Sequence, residues 1–385
     1  MAVITDTASL KSLCDRLSKA PYITVDTEFM REKTFWPKLC LVQLADGVGA
    51  AAVDTLSDGL DLTPLLNLMA KPDVLKVFHA ARQDLEIFFK LMGKLPAPIF
   101  DTQLAAMVCG FGDSVGYDTL VRKLADKNID KSSQFTDWGQ RPLSHRQIDY
   151  ALADVTHLRR VYVKLDEMLN NNGRHGWLDE ELGSLNNTNN YTFLPEEAWR
   201  RVKTRTSKPR FLAVLKEIAA WREREAQKKD LPRNRIVRDE TLVEIAHHAP
   251  TTTNELSRTR GFSPKRAEGT MGKALLDAIQ NGLNVPKENL PEVKQTEPIP
   301  RGIGPITDLL KVLLKLKCEK HDVAQKLIAK GDDLEKIAAL GEEASVLALQ
   351  GWRQHIFGED ALSLRSGQLA MKINGRNLEL VEIED

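Results

Sequence analysis

The first part of the chain alternates short apolar runs with amphipathic stretches. This pattern predicts a short amphipathic helix over residues 7–18 and then strands over Tyr22–Phe29, Leu39–Ala45 and Ala50–Asp54. The dipeptide Asp46-Gly47, which separates the last two strands, is a strong hairpin signal. Three consecutive strands therefore predict an antiparallel meander.

Beyond the meander, helical periodicity alternates with short strands. Strands are predicted over Val74–Phe78 and at Ile99-Phe100, and helices over Thr63–Met69, Ala81–Met92, 117–125 and about 144–170. Because the two kinds of element alternate, this part of the chain is predicted to be an α/β domain with a mixed sheet and helices packed on it.

The remaining sequence is polar at first and then helical. The run Asn186–Asn190 is suited to a linker, and a weak repeat with an offset of 92 residues follows it. The repeat matches Ile236, Leu242, Ile245 and Ala246 with Ile328, Leu334, Ile337 and Ala338. A long amphipathic helix precedes each copy, so we expect two small all-helical domains.

The predicted organisation has three domains, at residues 1–190, 205–285 and 300–385. A proline-rich linker over about 284–300 separates the two helical domains. Near the C-terminus, Leu369–Ile373 and Leu378–Val381 flank Asn374-Gly375, which predicts a terminal hairpin.

Composition places the chain among ordinary globular proteins, with 42% hydrophobic and 28% charged residues in 385. The N-terminus lacks a basic segment followed by an apolar one, and 18 apolar residues never run together. We therefore expect a cytoplasmic location and no membrane partner. The four cysteines are far apart without C-x-x-C spacing, which argues against disulfides and a cysteine zinc site and predicts reduced, mostly buried thiols.

Positive charge is concentrated in one segment, although Lys and Arg balance Asp and Glu at 54 each. Residues 200–238 contain fourteen Lys and Arg against four acids, a surplus of ten, whereas residues 301–350 contain eight of each. The first segment suggests a polyanionic partner, with a solvated helix face as the alternative. The second helical copy is expected to serve as a spacer or a wall.

Two acids stand out on the first predicted strand. Side chains alternate along a strand, so Asp26 and Glu28 share one face. Like charges this close oppose each other's ionisation unless they are solvated or a cation lies between them. The alternative interpretation is a half-exposed edge strand with two surface acids.

Further acids occur where helices are predicted. Asp84 lies in the first turns of a helix that follows a strand, and Tyr150 and Asp154 project from one helix face at i, i+4. Each has a simpler alternative: a helix-start carboxylate for Asp84, and a hydrogen-bonded pair on a packed helix for the other two. Asp101 is predicted to be the N-cap of the next helix.

Together these residues resemble the three motifs of the DEDD exonuclease family, in the branch whose third motif carries tyrosine. Val-Asp-Thr-Glu-Phe resembles the first motif, His-Ala-Ala-Arg-Gln-Asp the second and Tyr-Ala-Leu-Ala-Asp the third. The segments FDTQLAAMV and DWGQRPLSHRQIDYALADVTHL are similar to the ribonuclease D family, and the resemblance covers nearly the whole chain. The helical part containing WREREAQKKDLPRNRIVRDETLVEIA resembles the HRDC domain, a nucleic-acid-binding module.

The resemblance implies a ribonuclease H-like fold for the α/β domain, followed by two HRDC-like domains, and a site for two ions of Mg²⁺ or Mn²⁺. Asp26 would bridge the ions, Glu28 and Asp154 would complete one shell, and Asp84 would hold the other ion through water. Tyr150 would orient the attacking water rather than deprotonate it, because its ordinary pKa is near 10. Substrate contacts are weaker predictions: His79 for a phosphate or for Asp84, and Phe29, Gln43 and Trp138 for the terminal base, each with core packing as the alternative.

The predicted function is 3′→5′ exoribonuclease activity that releases nucleoside 5′-monophosphates, with transfer RNA precursors as expected substrates and a monomeric protein. Two alternatives stay open. One is a DNA 3′→5′ exonuclease of the same fold, which the lack of a G-x-x-x-x-G-K-[ST] helicase motif disfavours. The other is a non-catalytic RNA-binding protein, against which the intact acids speak.

Overall fold

The computed structural model describes residues 2–292 and 300–383. Its strands are β1 (Ala2–Ile4), β2 (Tyr22–Met30), β3 (Lys38–Ala45), β4 (Ala50–Asp54), β5 (Leu75–Phe78), β6 (Ile99–Asp101), β7 (Leu369–Asn374) and β8 (Asn377–Glu382). Its first helices are α1 (Thr7–Leu17), α2 (Thr63–Met69), α3 (Arg82–Met92), α4 (Thr102–Val108), α5 (Tyr117–Leu120), α6 (His145–Asn172) and α7 (His175–Leu185). These bounds agree with the predicted elements to within a few residues.

The later helices form two groups. The first helical copy contains α8 (Pro209–Lys229), α9 (Arg233–Ile236), α10 (Asp239–His248), α11 (Thr253–Ser257), α12 (Pro264–Glu268) and α13 (Thr270–Asn284). The second helical copy contains α14 (Gly304–His321), α15 (Gln325–Ile328), α16 (Gly331–Leu340), α17 (Gly351–Arg353) and α18 (Glu359–Ser366).

One six-stranded mixed sheet organises the α/β domain. Its strand order is β1-β4-β3-β2-β5-β6, in which the β2–β3 and β3–β4 pairs are antiparallel and the other pairs are parallel. The predicted meander and mixed sheet are therefore confirmed. The edge-strand interpretation of the first predicted strand is wrong, because β2 lies inside the sheet between β3 and β5.

The second helical copy shares its hydrophobic core with the sheet domain. Leu310 and Leu313 of α14, Ile337 of α16 and Phe357 belong to the same buried cluster as the sheet residues. Trp177 of α7 stacks on Trp352, with ring centroids 4.2 Å apart and planes at 9°. This copy is therefore an integral part of the sheet domain's packing, and its expected role as a spacer or a wall stays a prediction.

The first helical copy has its own core and contacts the loop between β2 and β3. Asp230, which follows α8, accepts hydrogen bonds from the backbone N–H groups of Phe35 at 3.1 Å and Trp36 at 2.9 Å. The Phe35 ring is buried in the core of the first copy, with the Arg233 guanidinium 4.6 Å from its centroid. The loop thus joins the sheet domain to the basic helical copy.

The sequence repeat is a structural repeat. The bounds of α9 and α15, of α10 and α16, and the last residues of α8 and α14 each differ by 92. Both long helices end at an aspartate in the left-handed conformation, Asp230 with φ 48° and Asp322 with φ 46°. Asp322 packs against Gly110, where a Cβ would lie 2.8 Å from the Asp322 carbonyl oxygen.

The remaining predictions on structure can be compared directly. The terminal hairpin is confirmed as β7 and β8, and all four cysteines are free and buried. The run Asn186–Asn190 is exposed and ends in a short 3₁₀ turn, whereas the predicted proline-rich linker falls largely on residues 293–299, outside the described residues. Of the helices formed by residues 2–292 and 300–383, none has the length and apolar character needed to cross a membrane.

The two capping aspartates provide a matched test of the contact between the first helical copy and the β2–β3 loop. Both Asp230→Ala and Asp322→Ala place alanine in the left-handed region, but only the first removes the acceptor for Phe35 and Trp36. We expect Asp230→Ala to cost about 1 to 3 kcal/mol more than Asp322→Ala. Hydrogen exchange at the amides of residues 35 and 36 should accelerate in the first variant alone; equal exchange in both would contradict this role.

Candidate active site

Asp26 and Glu28 lie on β2 beyond the point where β5 stops pairing with it. The β2–β5 register covers only Tyr22–Thr24, and a bulge follows Glu28 in the pairing of β2 with β3. Bulges often lie next to active sites, where they redirect side chains. With Asp154, the two acids bring three carboxylate groups so close that one oxygen of each lies within 4.8 Å of the others.

Asp84 joins this group through the residue between the two strand acids. Asp84 lies in the first turn of α3 and is 7% exposed. The Thr27 hydroxyl donates to Asp84 Oδ1 at 2.5 Å. The structure therefore brings together all four predicted acids, with Asp84 attached to the same strand as Asp26 and Glu28.

The turn before Asp84 is fixed by Asp101. As predicted, Asp101 is the N-cap of α4 and accepts from the backbone N–H of Gln103 and Leu104. Its carboxylate also accepts from the backbone N–H groups of Ala80 at 3.1 Å and Ala81 at 2.8 Å. Because Ala80 has a φ of 55°, unusual for a residue with a Cβ, these bonds hold a turn that alanine alone would not favour. Asp101 therefore shapes the site without being a ligand.

Asp154 and Tyr150 are held in place by α6. The helix begins with a capping box made by Ser144 and Gln147. The buried Thr24 hydroxyl of β2 donates to the carbonyl of Val155 at 2.8 Å, and the Tyr117 hydroxyl donates to the carbonyl of Asp154. Both bonds fix the helix turn that carries Asp154 against β2.

The carboxylates raise each other's pKa values, with burial as the first cause. Burial raises the pKa of Asp26 to about 6. Burial, followed by the charges of Asp26, Asp154 and Asp84, raises the pKa of Glu28 to about 10. The pKa of Asp154 rises to about 8 through burial and then the Asp26 charge, and burial also raises the pKa of Asp84 well above its ordinary value. Without a positive charge the group resists full ionisation.

This donor set fits hard divalent cations. The ligand atoms are all carboxylate oxygens, which Mg²⁺ and Mn²⁺ prefer, and Oδ1 of Asp154 is buried without a hydrogen-bond partner. A cation among the carboxylates would offset both the repulsion and the unsatisfied oxygen. The residues Asp26, Glu28, Asp84 and Asp154 are those that would hold it.

Tyr150 keeps its proton in this environment. Burial, followed by the charges of Asp154, Glu28 and Asp26, raises the pKa of the Tyr150 phenol. Its ring faces the buried Trp138 ring, with centroids 6.2 Å apart and planes at 36°. A protonated phenol at this place is a hydrogen-bond donor and acceptor beside the carboxylates, and it is unsuited to act as a base.

The Asp-Trp-x-x-Arg-Pro segment is held by an ion pair. Arg141 donates to both oxygens of Asp54, from Nε at 2.7 Å and Nη2 at 2.6 Å. The same guanidinium donates to the carbonyls of Trp138 at 2.8 Å and Cys40 at 2.9 Å. Arg141 therefore fixes Trp138 against the sheet and, through it, the ring of Tyr150.

The predicted substrate contacts lie in different settings. Phe29 is partly exposed and lines the cleft above the acids. Gln43 is fully buried opposite Asp26 on β3, with neither amide atom hydrogen-bonded, and Trp138 is 4% exposed. His79 lines the cleft, and its Nδ1 lies 3.0 Å from Thr102 Oγ1 while burial lowers its pKa. Of the four, Phe29 and His79 are the more accessible.

The cleft has a volume of about 670 Å³, within the usual range for ligand sites. Its floor carries Asp26, Glu28 and Asp84, whereas Arg31, Lys33 and Lys38 line a wall. Three residues of this site were not identified from the sequence: Thr27, Tyr117 and the cleft-lining Phe135. Thr27 and Tyr117 act through tertiary contacts that spacing does not reveal, but an isolated phenylalanine in a polar loop was a visible signal for Phe135.

A second cavity, of about 630 Å³, lies on the first helical copy. Arg238, Arg260 and Arg266 line it together with Glu240 and Glu244. Within the described residues, a carboxylate group of the metal-binding kind occurs on the sheet domain, at Asp26, Glu28 and Asp154. The cleft of the sheet domain is therefore the better candidate for chemistry.

Comparisons with known proteins agree with this geometry. A family model described as 3′-5′ exonuclease matches residues 1–170, and one described as HRDC domain matches residues 211–279. Ribonuclease D of Granulibacter bethesdensis is 47% identical over 380 residues, which are 98% of this chain and 96% of the relative. Ribonuclease D of Acidiphilium cryptum is 49% identical over 382 residues, which are 99% of this chain and 97% of the relative.

A solved structure shows the same architecture. The crystal structure of Escherichia coli RNase D, described as an exoribonuclease involved in structured RNA processing, has a TM-score of 0.80 and 31% identity. The match covers 95% of this chain and 98% of that one. It confirms the predicted fold class, a ribonuclease H-like exonuclease domain followed by HRDC-type helical structure. Relatives that match over nearly their whole length, with the exonuclease model on the domain that holds the carboxylates, show that the chain belongs to the ribonuclease D family of 3′→5′ exoribonucleases.

Proposed function

We propose that the chain removes nucleotides from the 3′ end of RNA with Asp26, Glu28, Asp84 and Asp154 as ligands of two divalent ions. The observation that carries this proposal is the gathering of Asp26, Glu28 and Asp154 oxygens within 4.8 Å. The DEDD exonuclease fold implies divalent metal use. That the ions are two in number, and are Mg²⁺ or Mn²⁺, is our proposal from the oxygen-only donor set.

The chain's own residues supply positioning. When bound, two divalent ions lower the pKa of water and stabilise the leaving oxygen of an in-line displacement. Tyr150 would hydrogen-bond the attacking water, because its phenol stays protonated. The water oxygen forms a bond to the phosphorus of the last linkage while the bond from that phosphorus to the 3′ oxygen breaks, and a proton is lost from the water as the leaving 3′ oxygen gains one. The products are a nucleoside 5′-monophosphate and an RNA shortened by one residue with a free 3′ hydroxyl.

The expected substrates are structured RNAs, and we propose transfer RNA precursors with 3′ trailers among them. The Escherichia coli relative is described as acting in structured RNA processing, which supports this class. We also propose that the protein acts as a cytoplasmic monomer with units at 1–190, 205–285 and 300–385.

The basic segment is the proposed RNA-binding surface, but its residues are not equivalent. Arg210 donates to the carbonyls of Gly282, Leu283 and Val285, so it is used to hold the end of α13. Arg200 pairs with Glu197, and Arg201 lies 3.9 Å from Glu223. Lys203, Arg205 and Lys208 are exposed and have no ion pair within the described residues. Among the six cations from Arg200 to Arg210, these three are the most available to phosphates.

Chelation should abolish hydrolysis while leaving RNA binding largely intact, because the clustered carboxylates need cations for chemistry. Gel analysis of 3′-labelled RNA with chelator, then with added Mg²⁺ or Mn²⁺, measures this, and chelator saturated with Mg²⁺ is the control. Asp26→Asn should cost several orders of magnitude in rate even with metal present. Undiminished cleavage in excess chelator would rule out the metal mechanism, and matched DNA ends in the same assay would reveal a DNA exonuclease.

Tyr150→Phe separates the phenol from the acids. If the hydroxyl only orients water, kcat should fall by roughly 10²-fold or less, while metal affinity stays unchanged. Metal titration and single-turnover rates measure both quantities. Tyr117→Phe is the comparison, because its hydroxyl donates to the backbone carbonyl of Asp154 and not to the attacking water. A loss of metal binding in Tyr150→Phe would mean that the phenol supports the ligand shell instead.

The exposed cations should set the salt dependence of RNA binding. The logarithm of affinity falls as the logarithm of salt concentration rises, and each phosphate contact on a single strand makes this slope steeper by about 0.7. Replacing Lys203, Arg205 and Lys208 by Gln should therefore make the slope shallower by about 2. Neutralising the exposed Lys11, Lys19 and Lys94 of the sheet domain is the control.

Equal slopes in the triple variant and the unchanged chain would show that Lys203, Arg205 and Lys208 are only a solvated surface. Substitution is a better test than truncation near Asn190. A shortened chain would lose the aspartate that binds the backbone of Phe35 and Trp36, and would uncover the buried Phe35 ring. The β2–β3 loop begins in the active-site cleft, so such a truncation would perturb binding and chemistry together.

A further inference from the structure

The loop that leads into Trp138 exposes an aromatic ring to solvent. Phe135 is 93% exposed, and among the Phe, Trp and Tyr side chains in the described residues it alone falls in the mostly exposed class. Burying a phenylalanine side chain is favourable by about 1.5 to 3 kcal/mol relative to leaving it exposed. Because the Phe135 ring packs in neither hydrophobic core, its exposure indicates contact with another molecule.

The loop that carries Phe135 is held in place by an ion pair and side-chain hydrogen bonds. Residues 131–133 form a 3₁₀ turn, with Lys131 in an ion pair with Asp118 at 3.0 Å. The Thr136 hydroxyl donates to the carbonyl of Ser133 at 2.8 Å. The Gln147 side chain of α6 donates to Thr136 Oγ1 at 3.1 Å. Phe135 thus lies between anchored neighbours, on a backbone that α6 holds in place.

Phe135 also stands at the mouth of the catalytic cleft. It lines the same cavity as Asp26, Glu28, Asp84 and Tyr150. Lys33 and Lys38, both exposed, line the cavity as well. A single strand whose 3′ end reaches the carboxylates therefore meets cations suited to its phosphates and an aromatic ring suited to its bases.

We propose that Phe135 is a stacking platform for one base close to the 3′ end of the RNA. Every base has a π-face, so a phenyl ring binds it by stacking without reading its identity. The ring would hold the strand between cycles of cleavage and leave sequence preference low, as an exonuclease that acts on many 3′ ends requires. This inference rests on the proposed function, because it assumes that the strand enters the cleft 3′ end first.

A double-mutant cycle tests the contact directly. Binding of the full chain to single-stranded RNA is measured in chelator, so that the RNA stays intact, with an abasic residue placed in turn at each of the last four nucleotides. Phe135→Ala should weaken binding of intact RNA by roughly tenfold, the scale of one base stacked on an aromatic ring. At one abasic position the unchanged protein should lose the same factor, and Phe135→Ala should lose nothing further there.

Matched variants separate stacking from general surface effects. Phe135→Trp should retain binding and Phe135→Leu should lose most of it, since leucine is apolar but has no π-face. Val48→Ala, which removes another exposed apolar side chain, 84% exposed and outside the cleft lining, should bind as the unchanged chain does. In Mg²⁺, Phe135→Ala should raise KM while kcat changes little, because the ring acts on the strand and not on the reacting atoms.

The results distinguish this inference from the proposed function. Additive losses at every abasic position, or binding by Phe135→Ala equal to that of the unchanged chain, would overturn the stacking role even if hydrolysis proves metal-dependent. Conversely, the chain could fail to hydrolyse RNA with any metal while the double-mutant cycle is non-additive. In that case the stacking role would stand and the proposed chemistry would be wrong. If the alanine variant instead changes only the sedimentation of the protein, the ring serves contact between copies and the proposal is wrong.

Discussion

Holding four acidic side chains in one largely buried place is the constraint on which the rest of the structure depends. The acids oppose each other's ionisation, so the protein must position them with bonds that are independent of their charge. Thr24 and Tyr117 provide such bonds, to the backbone beside Asp154 and to that of Asp154 itself, and Thr27 adds a hydrogen bond to the Asp84 carboxylate. Because β2 lies inside the sheet, β5 fixes its first residues as far as Thr24, and β3 pairs with the stretch that carries two of the acids. The resulting rigidity fits a site whose ligands must converge before a cation arrives.

Local patterns were sufficient to predict most elements of the sheet domain, although not β1 or α7, and the resemblance of three short motifs was sufficient to predict which acids meet. Strand alternation placed Asp26 and Glu28 on one face, and helical spacing did the same for Tyr150 and Asp154. The interpretation of β2 as a half-exposed edge strand was wrong. Periodicity shows which face of a strand is polar, but it does not show whether the strand lies at the edge of the sheet. Similarly, the sequence pattern predicted a long amphipathic helix before the second repeat copy, but only tertiary packing shows that the sheet domain buries Leu310 and Leu313 of α14.

Residues that act through distant partners were the hardest to predict. Arg141 and Asp54 are 87 positions apart, and Tyr117 reaches the backbone of a residue 37 positions away. Such contacts leave no periodic signal in a single sequence. Phe135 differs, because its signal was present: an apolar ring in a loop of polar residues has no core to enter. Gln43 and Trp138 were predicted as contacts for the terminal base instead, and the structure buries both.

The first helical copy is attached to the rest of the molecule at both of its ends. Before it, Tyr191 is buried against Phe89 of the sheet domain, with ring centroids 6.0 Å apart. After it, the second copy returns to the core of the same domain. If the basic copy binds RNA as proposed, that RNA would meet the cleft as an intramolecular ligand, at an effective concentration that short tethers hold near the millimolar range. A trimmed end could then leave the cleft and return without release of the RNA to bulk solvent.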